Sequence, residues 1–543
     1  MMVRYRRLGL CVLILPAGVL AAEMESVAVW ERGRAAAALV PPGGDERAAR
    51  LVQATFGRHL RAFYDVELPA VKEDAGDGLF IVAGTPENNA VLAGLVGEGL
   101  RLRTDALGDE GFQIVTHAGP RGRHVVIHGT TPRALKHGCQ ELIFYLIRAT
   151  PGGGRLPWPL DVVRRPELAY RGIYILPCWS QHDSIESWRR VLLFTSELTL
   201  NRVWFWLDGF PVAGHPATSY KPGGPIDYDR TPLASNENVQ SLIDLVNAED
   251  QKFYIGGGWM SWHHQQAVGK DPAKAEAFYR DYLRQFKGFS GFYFEPTGEG
   301  KEVKDWRPEA QSLRDTIRRL LADRPEFEVA VAIGRFNNPE YLKLMSGLDS
   351  RRVYWWWCWG DPLVDDPFAY YPTVLGWHTT VRMSDMHGTS LPPGPAQRRL
   401  AGVATSYDPG MGFGNPWNGG STLWGAKGPR DFHPHTLPYF SHEYRFRERC
   451  WDTNMSDERF AERLRARLFD ADMPAEAVGL YLKLAGFCPA PAKADPEALS
   501  DIAAFVDRHA GHGTPRNRDT LARMREALEG IHRTRVQTRP APK

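Results

Sequence analysis

From residue 169 to about residue 405 the sequence alternates between short apolar runs of strand character and longer segments with helical periodicity. This alternation constrains the fold more than any other feature, because strands separated by helices pair in parallel. Strand segments fall at 169–176, 202–206, 253–257, 291–294, 329–333 and 353–357, with helical segments at 185–198, 237–248, 272–286, 308–322 and 339–345. Beyond Trp359 the pattern weakens, and 379–383 and 400–404 supply the seventh and eighth strands. Eight strands in about 240 residues is the size of a (β/α)8 barrel. A Rossmann sheet is the competing layout, but no Gly-rich phosphate turn follows the first strand.

In such a barrel the chemistry sits where the strands end. The fourth strand, Gly291-Phe-Tyr-Phe-Glu295, runs into the turn Pro-Thr-Gly-Glu299-Gly300, which places two carboxylates four residues apart. Glycoside hydrolysis needs a proton donor at the glycosidic oxygen and a second carboxylate that attacks the sugar or activates water. The donor's pKa must be raised by burial or by a neighbouring acid, and Glu295 and Glu299 are close enough in sequence to repel each other. The other strand ends add Trp206 and Asp208, Trp259 and His263, Trp357, Trp359 and Asp361, Arg382 and Asp385, and Asp408. Aromatic rings stack on the C–H faces of sugars, and acids and amides bind hydroxyls, so this set fits a carbohydrate site.

The remainder of the chain of 543 residues frames that barrel. Residues 1–22 read as a secretory signal: Arg4, Arg6 and Arg7, then an apolar run at 8–15 too short to span a bilayer, then small residues near Ala21 and Ala22. The expected mature protein is exported and has no membrane segment. Residues 23–160 form a small α/β domain, with a helix at 46–64, strands at 79–83, 111–116 and 124–128, and a helix at 131–147 opened by Pro132. A Pro-rich connector at 158–166 leads into the barrel region, 161–435. Residues 436–534 read as helical and 535–543 as a disordered tail. A net charge of +2 carries no nucleic-acid footprint. The six cysteines are widely spaced without a CxxC, so neither a disulfide framework nor a zinc site is expected. His124 and His128 read as strand residues, and His263-His264 lacks the spacing of a helical zinc site. There is no GxSxG elbow and no phosphate-binding loop, and no metal or cofactor is implied.

Three short motifs carry a resemblance. The Gly84-Thr-Pro turn, Glu110-Gly-Phe-Gln-Ile114 and Gly129-Thr-Thr-Pro-Arg-Ala134 resemble the small N-terminal domain of bacterial β-hexosaminidases and α-glucuronidases. Gly298-Glu299-Gly300 is similar to the turn after the fourth strand of family 67 α-glucuronidases, and that resemblance makes Glu299 the general acid. Where that family has a Lys this chain has Glu295, which implies a neutral sugar rather than a uronate. The stretch Trp359-Gly-Asp361-Pro-Leu lies where that family carries its base, so the resemblance implies Asp361, with Asp385 and Asp408 as alternatives. Tyr170-Arg171-Gly172 resembles the first-strand opening of β-hexosaminidases, which implies that Arg171 binds sugar hydroxyls. The adjacent Asp-Glu catalytic pair of that family is absent.

The fold expected is therefore α/β: a (β/α)8 TIM barrel preceded by a small α/β domain and followed by a helical C-terminal region. The function expected is glycoside hydrolysis of oligosaccharide or polysaccharide fragments, inverting and α-glucuronidase-like. A retaining β-N-acetylhexosaminidase-like enzyme and a non-catalytic carbohydrate-binding protein are the alternatives. The sequence specifies no oligomeric state.

Overall fold

The computed structural model describes residues 25–175, 184–207, 232–259, 268–296, 306–332, 339–357, 374–377, 401–407, 435–437, 439–488, 490–511 and 513–537. The small domain holds two sheets. Strands β1 (Ser26–Glu31), β2 (Arg34–Ala35), β7 (Arg148–Thr150) and β8 (Gly153–Pro157) form one, in the order β2-β1-β8-β7. Strands β3 (Ala37–Val40), β4 (Leu79–Gly84), β5 (Phe112–Gly119), β6 (Gly122–His128) and β9 (Asp161–Arg164) form the other, in the order β3-β4-β6-β5-β9. The segment 158–166, read from sequence as a connector, thus contributes β9, whose residues pair antiparallel with β5. Helix α1 (Glu46–Tyr64) is capped by the Asp45 side chain, which accepts from the Ala48 amide, and it buries Leu51, Val52, Phe56 and Leu60. Helices α2 (Ala90–Gly97) and α3 (Pro132–Glu141) complete the domain, and α3 passes into a π-helical turn at Leu142–Leu146. His124 bonds Asp74 at 2.8 Å and His128 meets the Gly84 carbonyl at 3.1 Å, so both serve the sheet.

Eight parallel strands then close into a barrel in sequence order: β10 (Tyr170–Ile175), β11 (Arg202–Trp206), β12 (Lys252–Gly258), β13 (Gly291–Glu295), β14 (Glu328–Ala332), β15 (Val353–Trp357), β16 (Val374–Trp377) and β17 (Gly402–Tyr407). The first six and the last follow the apolar runs of the sequence. The seventh lies at Val374–Trp377, ahead of the expected 379–383, because that is the segment in register with both β15 and β17. Helices α4 (Ile185–Glu197), α5 (Asn236–Ala248), α6 (Pro272–Gln285), α7 (Arg307–Asp323) and α8 (Pro339–Met345) lie between the strands. Outward residues such as Phe205, Ile255, Phe292, Phe294, Val331 and Trp355 join the core beneath those helices.

The inward face is aromatic. Tyr174, Trp204, Trp206, Tyr254, Tyr293, Tyr354 and Trp356 form a separate cluster inside the barrel with Ala330 and Ala332. Trp204 and Trp356 meet edge to face at 4.4 Å, and Tyr293 lies 4.6 Å from Trp356. Rings of this size fit only where the facing wall lacks a side chain: a Cβ on Gly172 would stand 1.9 Å from the Trp204 ring, and one on Gly256 would stand 2.6 Å from Tyr293. The base of the barrel is closed by Arg202, whose guanidinium lies 4.0 Å from the Tyr170 ring centre and donates to Glu328 at 3.2 Å. Glu328 also accepts from the Tyr254 hydroxyl at 2.5 Å and pairs with Lys252.

The C-terminal region is helical: α9 (Tyr439–Trp451), α10 (Asp457–Leu468), α11 (Ala477–Phe487), α12 (Pro496–His509) and α13 (Pro515–Gln537). The last helix runs past 533, through three residues that the sequence reading assigned to the tail. Cys139, Cys450 and Cys488 are free and buried. Among the described residues no helix is long and apolar enough to cross a membrane.

Buried charges join the three parts. Glu141 of the small domain accepts from Arg164 and from Arg463 of α10, each at 3.0 Å, and Arg463 also donates to Glu448 of α9 at 2.6 Å. Burial alone would raise the Glu141 carboxyl, but Arg164 and Arg463 outweigh it and hold it at about 2. A carboxyl depressed below its unfolded value binds its proton more tightly in the unfolded chain, so its contribution is full above the ordinary carboxylate range and fades as pH falls towards 2. Denaturant midpoints should therefore drop between about pH 5 and pH 2. Glu141→Gln should flatten that dependence and, at pH 7, cost about 3–5 kcal/mol in urea unfolding, because two buried guanidinium groups then share the single carboxylate of Glu448. An unaltered pH profile in this variant would show that the junction is not what acid disrupts.

Candidate active site

Strand β13 starts where only glycine fits. Gly291 has φ +152°, and a Cβ there would lie 1.8 Å from the Glu328 carbonyl oxygen. With the strand set in that register, Phe292 and Phe294 face the surrounding helices while Tyr293 and Glu295 turn inward. Glu295 is the last residue of the strand and 5% exposed, and its carboxylate accepts from the Tyr293 hydroxyl at 3.2 Å. Beneath it lie the Tyr293, Tyr174 and Trp356 rings, with Tyr174 at 5.3 Å from Tyr293 and 5.6 Å from Trp356. Trp206, also the last residue of its strand, approaches Tyr174 at 6.2 Å.

The neighbours of Glu295 are small. Gly258 pairs with it on β12, one inward position above Gly256, and Ala330 and Ala332 are the inward residues of β14. The Glu295 carboxylate is thus flanked by glycine and alanine and floored by aromatic rings, and these described neighbours place no bulky side chain beside it. It can accept hydrogen bonds from hydroxyl or amide N–H groups and repels other anions.

Two of the expected site residues face away from the mouth. Arg171, read as a sugar ligand, occupies an outward position near the start of β10 and is fully buried. It donates to the Leu168 carbonyl at 2.8 Å, to the Thr199 carbonyl, and to Glu110 of the small domain. Its guanidinium therefore serves the junction at the opposite end of the barrel. Trp259, read as a stacking platform, follows β12 on the outward side. It lies 6.0 Å from Tyr279 and 5.7 Å from Phe294, and its indole donates to Ser312 at 3.3 Å. It is core between strand and helix, with no face left for a sugar. Trp357 ends β15, with its side chain outside the described set. Asp208, His263, Glu299, Trp359, Asp361, Arg382, Asp385 and Asp408 lie outside the described residues. Among the described residues no three metal-binding side chains cluster.

One acid escaped the sequence reading. Glu309 stands in the first turn of α7, where a carboxylate ordinarily marks a solvated helix start. Here burial pushes its carboxyl up to about 8, against an opposing pull from Lys270, and Oε1 has no hydrogen-bond partner among the described residues. Its backbone carbonyl accepts from Ser312, the residue that holds the Trp259 indole. Only burial distinguishes it from an exposed helix acid, and burial is not written in the local sequence.

Neither a family model nor a curated protein sequence matches this chain. Solved structures do share its fold. An exo-β-N-acetylglucosaminidase of glycoside hydrolase family 20 from Vibrio harveyi, in complex with N-acetylglucosamine, aligns with a TM-score of 0.52 and 12% identity over 82% of this chain and 74% of that one. An inactive mutant of a family 20 exo-β-N-acetylglucosaminidase from the same organism aligns with a TM-score of 0.50 and 11% identity, over 82% of this chain and 75% of that chain. At this identity the likeness is one of fold: a TIM barrel carried behind a small N-terminal domain.

The placement of Trp259 has a measurable consequence. Trp259→Ala should lower stability by about 3–5 kcal/mol in denaturant unfolding, the range for deleting a large buried ring. A variant as stable as the parent would mean that the indole is not packed between β12 and α6.

Proposed function

We propose that this chain is an exported glycoside hydrolase whose active site is the C-terminal mouth of the barrel, and that it removes sugars from chain ends. The observation that carries this reading is Glu295, a carboxylate turned into a parallel barrel at the end of its fourth strand above an aromatic floor. The packed interior makes the mouth a blind well, and a blind well suits a chain terminus better than the middle of a polymer. A buried carboxylate in that well opposes a uronate by like-charge repulsion and favours a neutral sugar bearing hydroxyl or amide donors. The fold shared with exo-β-N-acetylglucosaminidases supports the same direction. We therefore favour a β-N-acetylhexosaminidase-like activity over an α-glucuronidase-like one.

In this proposal Glu299 is the general acid and Asp361 its partner carboxylate, both on the sequence pattern alone, and Glu295 binds the sugar. The acid protonates the departing oxygen, and the partner either attacks the anomeric carbon or activates water. A carboxyl separation of roughly 5–5.5 Å gives retention and 6.5–9.5 Å gives inversion.

A panel of nitrophenyl glycosides tests the substrate class, with hydrolysis of the N-acetyl-β-glucosaminide expected to exceed that of the α-glucuronide. Glu299→Gln should lower kcat on a natural linkage by about 10²-fold or more, and by less on nitrophenyl substrates, which need little protonation. Proton NMR of the first-formed anomer separates retention from inversion. Preferred cleavage of the glucuronide would overturn the substrate class, and full turnover of a natural linkage by Glu299→Gln would overturn the acid.

A further inference from the structure

Far from the barrel mouth, a small, partly open cleft lies where α1 of the small domain meets α9, α10, α11 and α13. Phe63, Phe440 and Tyr481 supply aromatic walls, and Arg467, Arg516 and Arg523 supply three guanidinium groups. Arg467 is engaged by Glu197 at 2.8 Å. Arg516 is only 3% exposed, and its Nη2 is committed to Asp470 and to the Phe469 carbonyl. Its Nε and Nη1 are buried with no acceptor among the described residues, as are Arg523 Nε and the Tyr481 hydroxyl. Burial pushes the Tyr481 phenol far up, so it keeps its proton and remains a donor.

Unmet buried donors are costly, and a guanidinium can only donate. These particular donors therefore lack acceptors among the described residues. Water brings two more donors with it, whereas an anion brings acceptors alone. The aromatic walls and Leu468 favour a ligand with an apolar portion over a bare inorganic ion. Asp519 is exposed at one side of the lining and lies 3.7 Å from Arg523, which also has Glu526 at 3.6 Å, so two carboxylates flank the solvent-facing side of this guanidinium.

We infer that this cavity binds a small carboxylate with a short apolar tail, its oxygens on Arg516, Arg523 and Tyr481 and its tail against Phe63 and Phe440. Such a ligand touches elements of the small domain and of the C-terminal helices at once, so its binding tightens their junction. It makes no contact with the barrel mouth and does not depend on the chemistry performed there.

The test uses the full-length protein with sodium butyrate as the probe, sodium chloride at equal ionic strength and 1-butanol as the controls. Calorimetry should show saturable butyrate binding, and Tm should rise with butyrate but with neither control. Tyr481→Phe should weaken butyrate binding about tenfold, as expected for a lost hydrogen bond to a charged group, while leaving the ligand-free Tm unchanged because no described residue bonds the hydroxyl. Arg523→Gln should weaken binding in the same way without touching the buried Arg516–Asp470 pair. Absence of saturable binding, equal stabilisation by chloride, or full affinity in both variants would overturn the inference. A clear fall in the ligand-free Tm of Tyr481→Phe would do so too, since it would mean that water already satisfies the hydroxyl.

Discussion

The barrel stands because its interior is filled, and it is filled with rings. Eight short parallel strands enclose a space that aliphatic side chains more commonly occupy. In this chain Tyr174, Trp204, Tyr254, Tyr293 and Trp356 occupy it instead, in a mixture of edge-to-face, tilted and stacked contacts. The glycines at 172 and 256 are the complement of that choice, since any side chain there would collide with a ring. Strand register, closure and the floor of the mouth all follow from this packing. Glu295 keeps its inward orientation because the residue two places before it is one of the interlocked rings and holds its carboxylate.

The junction of the three parts rests on a different interaction. Arg171 reaches from the barrel to Glu110, while Glu141, Arg164, Glu448 and Arg463 form a buried network between the small domain and the C-terminal helices. The Arg463 guanidinium also lies 3.8 Å from the centre of the Tyr145 ring. Buried pairs of this kind add little net stability compared with an apolar substitute, but any misplaced docking would leave a charge unpaired. They therefore set one arrangement of the parts rather than simply adding adhesion.

The barrel was legible in the sequence because parallel strands covered on both sides read as continuous apolar runs. That same property hid which side each residue faces. Arg171 and Trp259 sit at strand ends as plausibly as Trp206 and Glu295 do, and only pairing register separates outward from inward. The true partner of Arg171 lies in a different motif from its own: Glu110, in the small domain. Val374–Trp377 was missed because four residues interrupted by a glycine give too little periodicity, whereas the following 379–383 looks more strand-like on its own. The pairing of β1 with β8 and the departure of β3 to another sheet were equally invisible, since partner choice depends on contacts distant in sequence.

The closed base of the barrel sets an order of traffic. With Arg202, Tyr170, Glu328 and Tyr254 locked across the lower end, molecules can pass only through the upper one. Whatever settles deepest must arrive before anything lodged above it and depart after it. If a bound molecule is cut within the well, the outer fragment leaves first and solvent can enter behind it. The inner fragment then occupies the deepest position until it escapes, and while it remains the next molecule waits. For the hydrolase proposed above, a single entrance would make the last departure a natural place for turnover to slow, independently of how fast any bond is broken.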